Sequence, residues 1–174
     1  MAFTADDRIA VTELISMHGH LIDGGELDRL DELFTADVVY DVSDFGFGVV
    51  QGLTAIREAA LARGEGNPVG HHVTNVILTE VADDHVRALS KGIGIMADGT
   101  CGSATYEDTI SRGNRGWRIT HRKVLARRVD FLDAAVAGVA QAGDGDGLVD
   151  GGLHAAPEGV VVAPGKCLRA EGDV

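Results

Sequence analysis

Cysteine is scarce in this chain: Cys101 and Cys167 are the only two in 174 residues. So few, so far apart, do not build a disulfide framework, and a reducing cytoplasm is the expected setting. Aromatic side chains make up 5% of the chain, too little for the stacking platforms of a single-strand nucleic-acid binder. Basic residues are outnumbered, 15 Lys and Arg against 27 Asp and Glu, for a net charge of −12. A surface of that sign repels phosphate backbones and anionic headgroups, so neither nucleic acid nor membrane is an expected partner. No stretch approaches the roughly 18 consecutive apolar residues of a membrane span. The N-terminal residues, Met1 to Asp7, carry neither the basic nor the apolar region of a secretory signal. The histidines and acids show no established zinc spacing. Gly92, Gly94 and Gly99 interrupt strand-like segments and precede no helix, unlike a dinucleotide fingerprint. Asp144, Gly145, Asp146 and Gly147 imitate a calcium loop, but the twelfth position is Ala155 where Glu is needed. No metal and no cofactor are expected.

What is present suits one domain with a real core: 45% apolar and 24% charged residues. Between Asp6 and Asp23, Val11, Leu14, Ile15, Leu21 and Ile22 fall at helical spacing, with Thr4 or Asp6 to cap and Gly24-Gly25 to stop. A short second helix carries Leu27, Leu30, Leu33 and Phe34 on one side. Residues 38–42 read as a strand, and a third helix over 53–63 turns Ile56, Ala60 and Leu61 inward. From Val69 to Arg128 the pattern is strands, broken by turn signals at Asp83-Asp84, Asp98-Gly99 and 113–116. This segregation predicts an α+β fold, a curved antiparallel sheet wrapped around N-terminal helices as a cone-shaped barrel with an internal pocket. The domain spans 1–128. Residues 129–174 form an extension, a short helix followed by a Gly/Ala-rich tail.

Two polar islands carry the chemistry. Asp23 ends the apolar-striped first helix, and His71-His72 opens a strand-like run. A carboxylate that fixes the tautomer of an imidazole lets it take and return a proton near neutrality. Side chains alternate across a strand, so one of the two histidines faces the pocket. His18 lies on the apolar face of the first helix, as a core residue or a pocket wall. Tyr40 and Tyr106 are the only tyrosines, and a phenol can donate to a developing enolate oxygen. Arg112, Arg115, Arg118, Arg122, Lys123, Arg127 and Arg128 concentrate basic charge in one hairpin. They read first as a solvated face balanced by acidic neighbours, and second as a docking strip for an acyl carrier protein or an anionic substrate. Arg122 could bind an acidic substrate group or pair across strands.

The stretch from Ile22 to Phe34 resembles the first helical hairpin of SnoaL-like proteins. So do Ala36-Asp37-Val38-Val39-Tyr40, His71-His72-Val73-Thr74-Asn75, and Gly116-Trp117-Arg118-Ile119 with Arg122. These proteins belong to the nuclear transport factor 2-like superfamily, with scytalone dehydratase, bile acid dehydratases, ketosteroid isomerases and polyketide cyclases. The resemblance spans about residues 5–128. It implies the cone-shaped, cystatin-like fold and a cofactor-free enzyme that dehydrates, isomerises or cyclises a mostly apolar, polyketide-like or polycyclic molecule. The alternative is a non-catalytic binding or assembly protein of the same fold. The resemblance further implies Asp23 and His71 as the acid–base pair, Tyr40 as a holder of water or a carbonyl, Trp117 as core, and a homodimer. With His71 inward, Val73, Asn75 and Ile77 should share its face. His72, Tyr106, His18, Asn75, Arg122 and Met96 complete the expected substrate-binding set. The second catalytic histidine of scytalone dehydratase falls near Met96, which transfers no proton, so a different substrate is expected.

Overall fold

A computed structural model describes residues 2–127. The short helix and tail expected over 129–174 lie outside the described residues. Helix α1 (Ala5–Asp23) starts at Thr4, whose hydroxyl accepts from the Asp7 backbone N–H while the Asp7 carboxylate accepts from the Thr4 N–H. This reciprocal cap satisfies two otherwise orphaned donors. The helix stops at Gly24. Gly25 follows at φ 68°, a left-handed conformation that is cheap only for glycine, and the Glu26 N–H closes back on the Leu21 carbonyl at 2.8 Å. Between these ends Val11, Leu14, Ile15, His18 and Leu21 form the buried stripe.

The second helix is shorter and tighter than expected, a 3₁₀ segment over Leu27–Glu32 that buries Leu30. Leu33 and Phe34 are drawn into the sheet instead, where the Ile119 N–H donates to the Leu33 carbonyl. Strand β1 (Phe34–Asp41) therefore begins earlier than the branched run at 38–42 suggests. After β2 (Val49–Gln51), α2 (Leu53–Arg63) matches its expected span but buries only Ile56. Leu61, expected inward, is 69% exposed. Four strands follow: β3 (Gly70–Val81), β4 (His85–Ile95), β5 (Cys101–Gly113) and β6 (Gly116–Ala126).

The six strands form one curved, unclosed sheet in the order β2-β1-β6-β5-β4-β3. Every pairing is antiparallel except β1 with β6, which is parallel. Register shifts place bulges in β3 and β6, which add local twist and bend a sheet. Helix α1 packs against β3 and β6 on the inner face. Successive rows across that face differ in character. Val86, Ile110, Ile119 and Phe34 make an apolar row that belongs to the core with Val11, Leu14 and Ile15. The next row carries Ala88, Asp108, Arg122 and Tyr40, and the one beyond it Ser90, Tyr106 and Val124. His71 lies further along the same face, paired with Gly94. Polar side chains are thus stacked inside a sheet whose far row is sealed by hydrocarbon. Among the described residues no helix is long and apolar enough to cross a membrane.

Candidate active site

The end of α1 meets the start of β3, and that junction brings the two polar islands together. Asp23 Oδ1 lies 2.6 Å from His71 Nδ1, and the His71 backbone N–H donates to Asp23 Oδ2 at 2.7 Å. One carboxylate thereby fixes both the position and the ring of the histidine. With Nδ1–H donating to Asp23, the lone pair sits on Nε2. The side chains are 25% exposed at Asp23 and 15% at His71, so the pair is reachable from solvent on one side. Phe45 and Phe47, which could have plugged the cone, are 44% and 60% exposed.

The contact depends on a glycine inside the helix. A Cβ on Gly19 would sit 2.1 Å from the His71 carbonyl oxygen and 3.7 Å from Asp23 Oδ2. Helix and strand could not approach so closely with any other residue there. Gly19→Ala is expected to push β3 from α1, costing about 1–3 kcal/mol as an overpacked contact and lengthening the Asp23–His71 bond. Urea unfolding measures the first effect, and the His71 ring ¹⁵N shifts report the second. An alanine variant with unchanged stability and shifts would contradict the close approach.

Behind the pair lies a second polar group. The His18 ring stands perpendicular to that of His71, centroids 5.5 Å apart, and 5.7 Å from the Tyr106 ring. His18 is buried, and burial first, then the charges of Arg122 and His71, hold its imidazolium well below the ordinary histidine range. Unfolding frees this group to take up a proton. Its contribution to stability is therefore full above the ordinary value of 6.5 and is lost as pH falls below it, by up to about 1.4 kcal/mol per pH unit. His18→Gln should flatten that part of the pH dependence in urea titrations between pH 5 and 7.5. An unaltered slope would show that His18 is not buried neutral.

Arg122 is fully buried and forked onto Asp108, its strand-register partner, with Nε and Nη2 each donating at 2.7 Å. Burial works against the guanidinium charge, but the Asp108 carboxylate outweighs it and holds Arg122 above its ordinary range. The same guanidinium lies 4.6 Å from the Tyr106 ring centroid and 5.7 Å from that of Phe34. Tyr40, register partner of Arg122 on β1, stacks edge-on to Phe34 at 5.9 Å. Desolvation pushes both phenols, Tyr40 and Tyr106, above their ordinary value, so each stays a proton donor through the physiological range.

Not every expected residue reaches this interior. Asn75 adopts φ 54°, a left-handed conformation that asparagine tolerates better than most residues, and the β3–β4 register shifts between Thr74 and Ile77. The bulge reverses the alternation of faces from Val76 to Leu78, and a second register shift between Leu78 and Glu80 restores it. Val73, Val76 and Leu78 pack on the core, whereas Asn75 is exposed and Ile77 is 60% exposed. Asn75 is thus corrected from pocket wall to bulge residue. His72 is exposed on the opposite face from His71, in register with Ile93. Met96 lies beyond β4 in the turn closed by its N–H on the Thr100 carbonyl. The basic hairpin is largely paired within the chain: Arg112 with Asp7, Arg115 with Asp31, Arg118 with the Asp31 carbonyl, and Arg122 with Asp108. Trp117 is core, its indole N–H donating to Asp7. Two hollows lie elsewhere, one of about 360 Å³ beside Leu14, Met17 and Trp117, the other of about 200 Å³ beside Thr79, Arg87 and Glu107.

Sequence reasoning passed over Gly19, Ser90 and Asp108. Each carried a signal: a glycine within a helical stripe, and polar residues at inward positions of alternating strands.

Comparison with known proteins agrees with this architecture. A SnoaL-like domain model matches residues 4–123. Among curated proteins no sequence matches the chain significantly. Solved structures do. A candidate aromatic ring hydroxylase from Novosphingobium aromaticivorans is 25% identical, with TM-score 0.61, over 72% of this chain and 92% of its own. A nuclear transport factor 2-like protein with a cystatin-like fold from the same bacterium is also 25% identical, with TM-score 0.61, over 75% and 88%. A candidate scytalone dehydratase, again from Novosphingobium aromaticivorans, shares the fold at 17% identity and TM-score 0.59, over 72% and 89%. With a family match spanning the whole described fold, from the cap of α1 into β6, this chain belongs to the SnoaL-like domain family.

Proposed function

We propose that the protein is a cofactor-free acid–base enzyme acting on a mostly apolar small molecule. The observation that carries this reading is the 2.6 Å bond between Asp23 Oδ1 and His71 Nδ1, with both side chains partly exposed. His71 Nε2 removes a proton alpha to a carbonyl, and the C–H electron pair moves onto the carbonyl oxygen. Tyr106 or Tyr40 donates to that oxygen as charge grows on it. The imidazolium, supported by Asp23, then returns the proton. Delivery to a departing hydroxyl gives dehydration, and delivery to another carbon gives isomerisation. Cyclisation follows if the enolate attacks a second carbonyl.

The first step is testable without the natural substrate. In D₂O the protein should speed α-proton exchange of 1-tetralone, followed by mass spectrometry, and His71→Ala should return it to the buffer rate. A wild-type protein no faster than buffer would contradict the reading. A binding protein on the same fold is the second reading, and one observation favours it: both hollows above leave out Asp23 and His71. It requires equal exchange by wild type and His71→Ala.

A further inference from the structure

Proton transfer leaves unused a set of buried polar atoms gathered around the Tyr106 ring. Ser90 is the register partner of Tyr106 on β4, is 2% exposed, and its Oγ has no partner among the described residues. His18, at 5.7 Å from the same ring, is 4% exposed with Nδ1 unpartnered. Arg122, at 4.6 Å from that ring, spends Nε and Nη2 on Asp108 and keeps Nη1 unpartnered. Buried polar atoms are nearly always met by a partner, and three unmet ones around one side chain call for an explanation. Gly92 adds a built feature, since a Cβ there would lie 2.7 Å from the Tyr106 ring. The sheet is hollowed at that point to seat the phenol.

We infer that His18 Nδ1, Ser90 Oγ and Arg122 Nη1 form a subsite that receives an uncharged oxygen of the substrate, a carbonyl, phenol or hydroxyl, beside Tyr106. Arg122 only donates, the serine hydroxyl donates or accepts, and the neutral imidazole does either according to tautomer. Such a set suits an oxygen with both lone pairs and a proton. It does not suit an anion. The Arg122 charge is already balanced by Asp108, so a carboxylate or phosphate would add an uncompensated charge inside the cone. The inference deepens the acid–base reading by naming the substrate class, an uncharged hydroxy or keto compound, and rests on that reading for the reaction alone.

2-Naphthol and 2-naphthoate share a ring system and differ in an uncharged against a charged oxygen group. In calorimetric titrations of the full chain at pH 7, 2-naphthol should bind, and 2-naphthoate should bind at least roughly tenfold more weakly. Ser90→Ala removes an unmet hydroxyl, so it should unfold no more readily than wild type, yet bind 2-naphthol about fivefold to tenfold more weakly. His18→Gln, which keeps an uncharged donor, should lose less affinity than His18→Phe. Asp31→Ala, at the exposed pair with Arg115, should leave 2-naphthol affinity within about twofold, because it removes no partner of this oxygen. Equal affinity for the two probes, unchanged affinity in Ser90→Ala, or no saturable binding of 2-naphthol to folded protein would overturn the subsite. Ser90-dependent binding by a protein that exchanges no ketone protons would keep the subsite and discard the proton-transfer reading.

Discussion

Asp23→Asn is expected to lower ketone exchange by about 10²–10⁴-fold while the protein stays folded. The carboxylate now accepts twice, from the His71 backbone N–H and from Nδ1–H. Asparagine offers one oxygen and one NH₂ group. If the oxygen keeps the backbone bond, the amide donates to Nδ1 and drives the imidazole proton onto Nε2. The base is then blocked by its own proton, although shape and size are unchanged. Circular dichroism should be superimposable on wild type and the melting temperature close to it. A variant that exchanges protons at the wild-type rate would show that Asp23 merely anchors the strand.

The largest stability effect should come from a residue that handles no proton. Asp108→Ala is expected to cost about 3–5 kcal/mol, read from urea unfolding, because it strands a fully buried guanidinium without its counter-ion. Exposed pairs give the contrast. Arg115 and Asp31 are 60% and 41% exposed at their side chains, and Asp31→Ala should leave the urea midpoint close to that of wild type. Replacing both Asp108 and Arg122 with apolar residues of similar volume should recover much of the loss, since neither charge is then left alone. Equal, small losses for Asp108→Ala and Asp31→Ala would mean that water reaches Arg122.

The elements with local signatures were legible in the sequence. Capping residues, the helical stripe and Gly24-Gly25 bound α1 correctly, and paired turn residues separate the last four strands. The Asp23 and His71 islands were legible for a different reason, as polar groups where apolar ones would be cheaper. What stayed hidden is non-local. Between Thr74 and Ile77 the one hint of a bulge is Asn75, uncommon in strands and tolerant of positive φ, while its neighbours suit a straight strand. One extra residue nevertheless exchanges the two faces. The parallel pairing of β1 with β6 joins segments distant along the chain, and only it explains why Phe34 abandons the second helix. Asp108 lay in plain alternation with Tyr106 and Ile110, but its partner was fixed only when β5 and β6 came into register.

The pairing of Asp23 with His71 as one proton-transferring unit is tested most directly by a double-mutant cycle. Rates of 1-tetralone exchange are to be measured for wild type, Asp23→Asn, His71→Ala and the double variant. If the carboxylate works only through the ring, the double variant should be no slower than the slower single variant, within about threefold. Losses that multiply would mean that the two groups act independently, and the proposed pair would not exist.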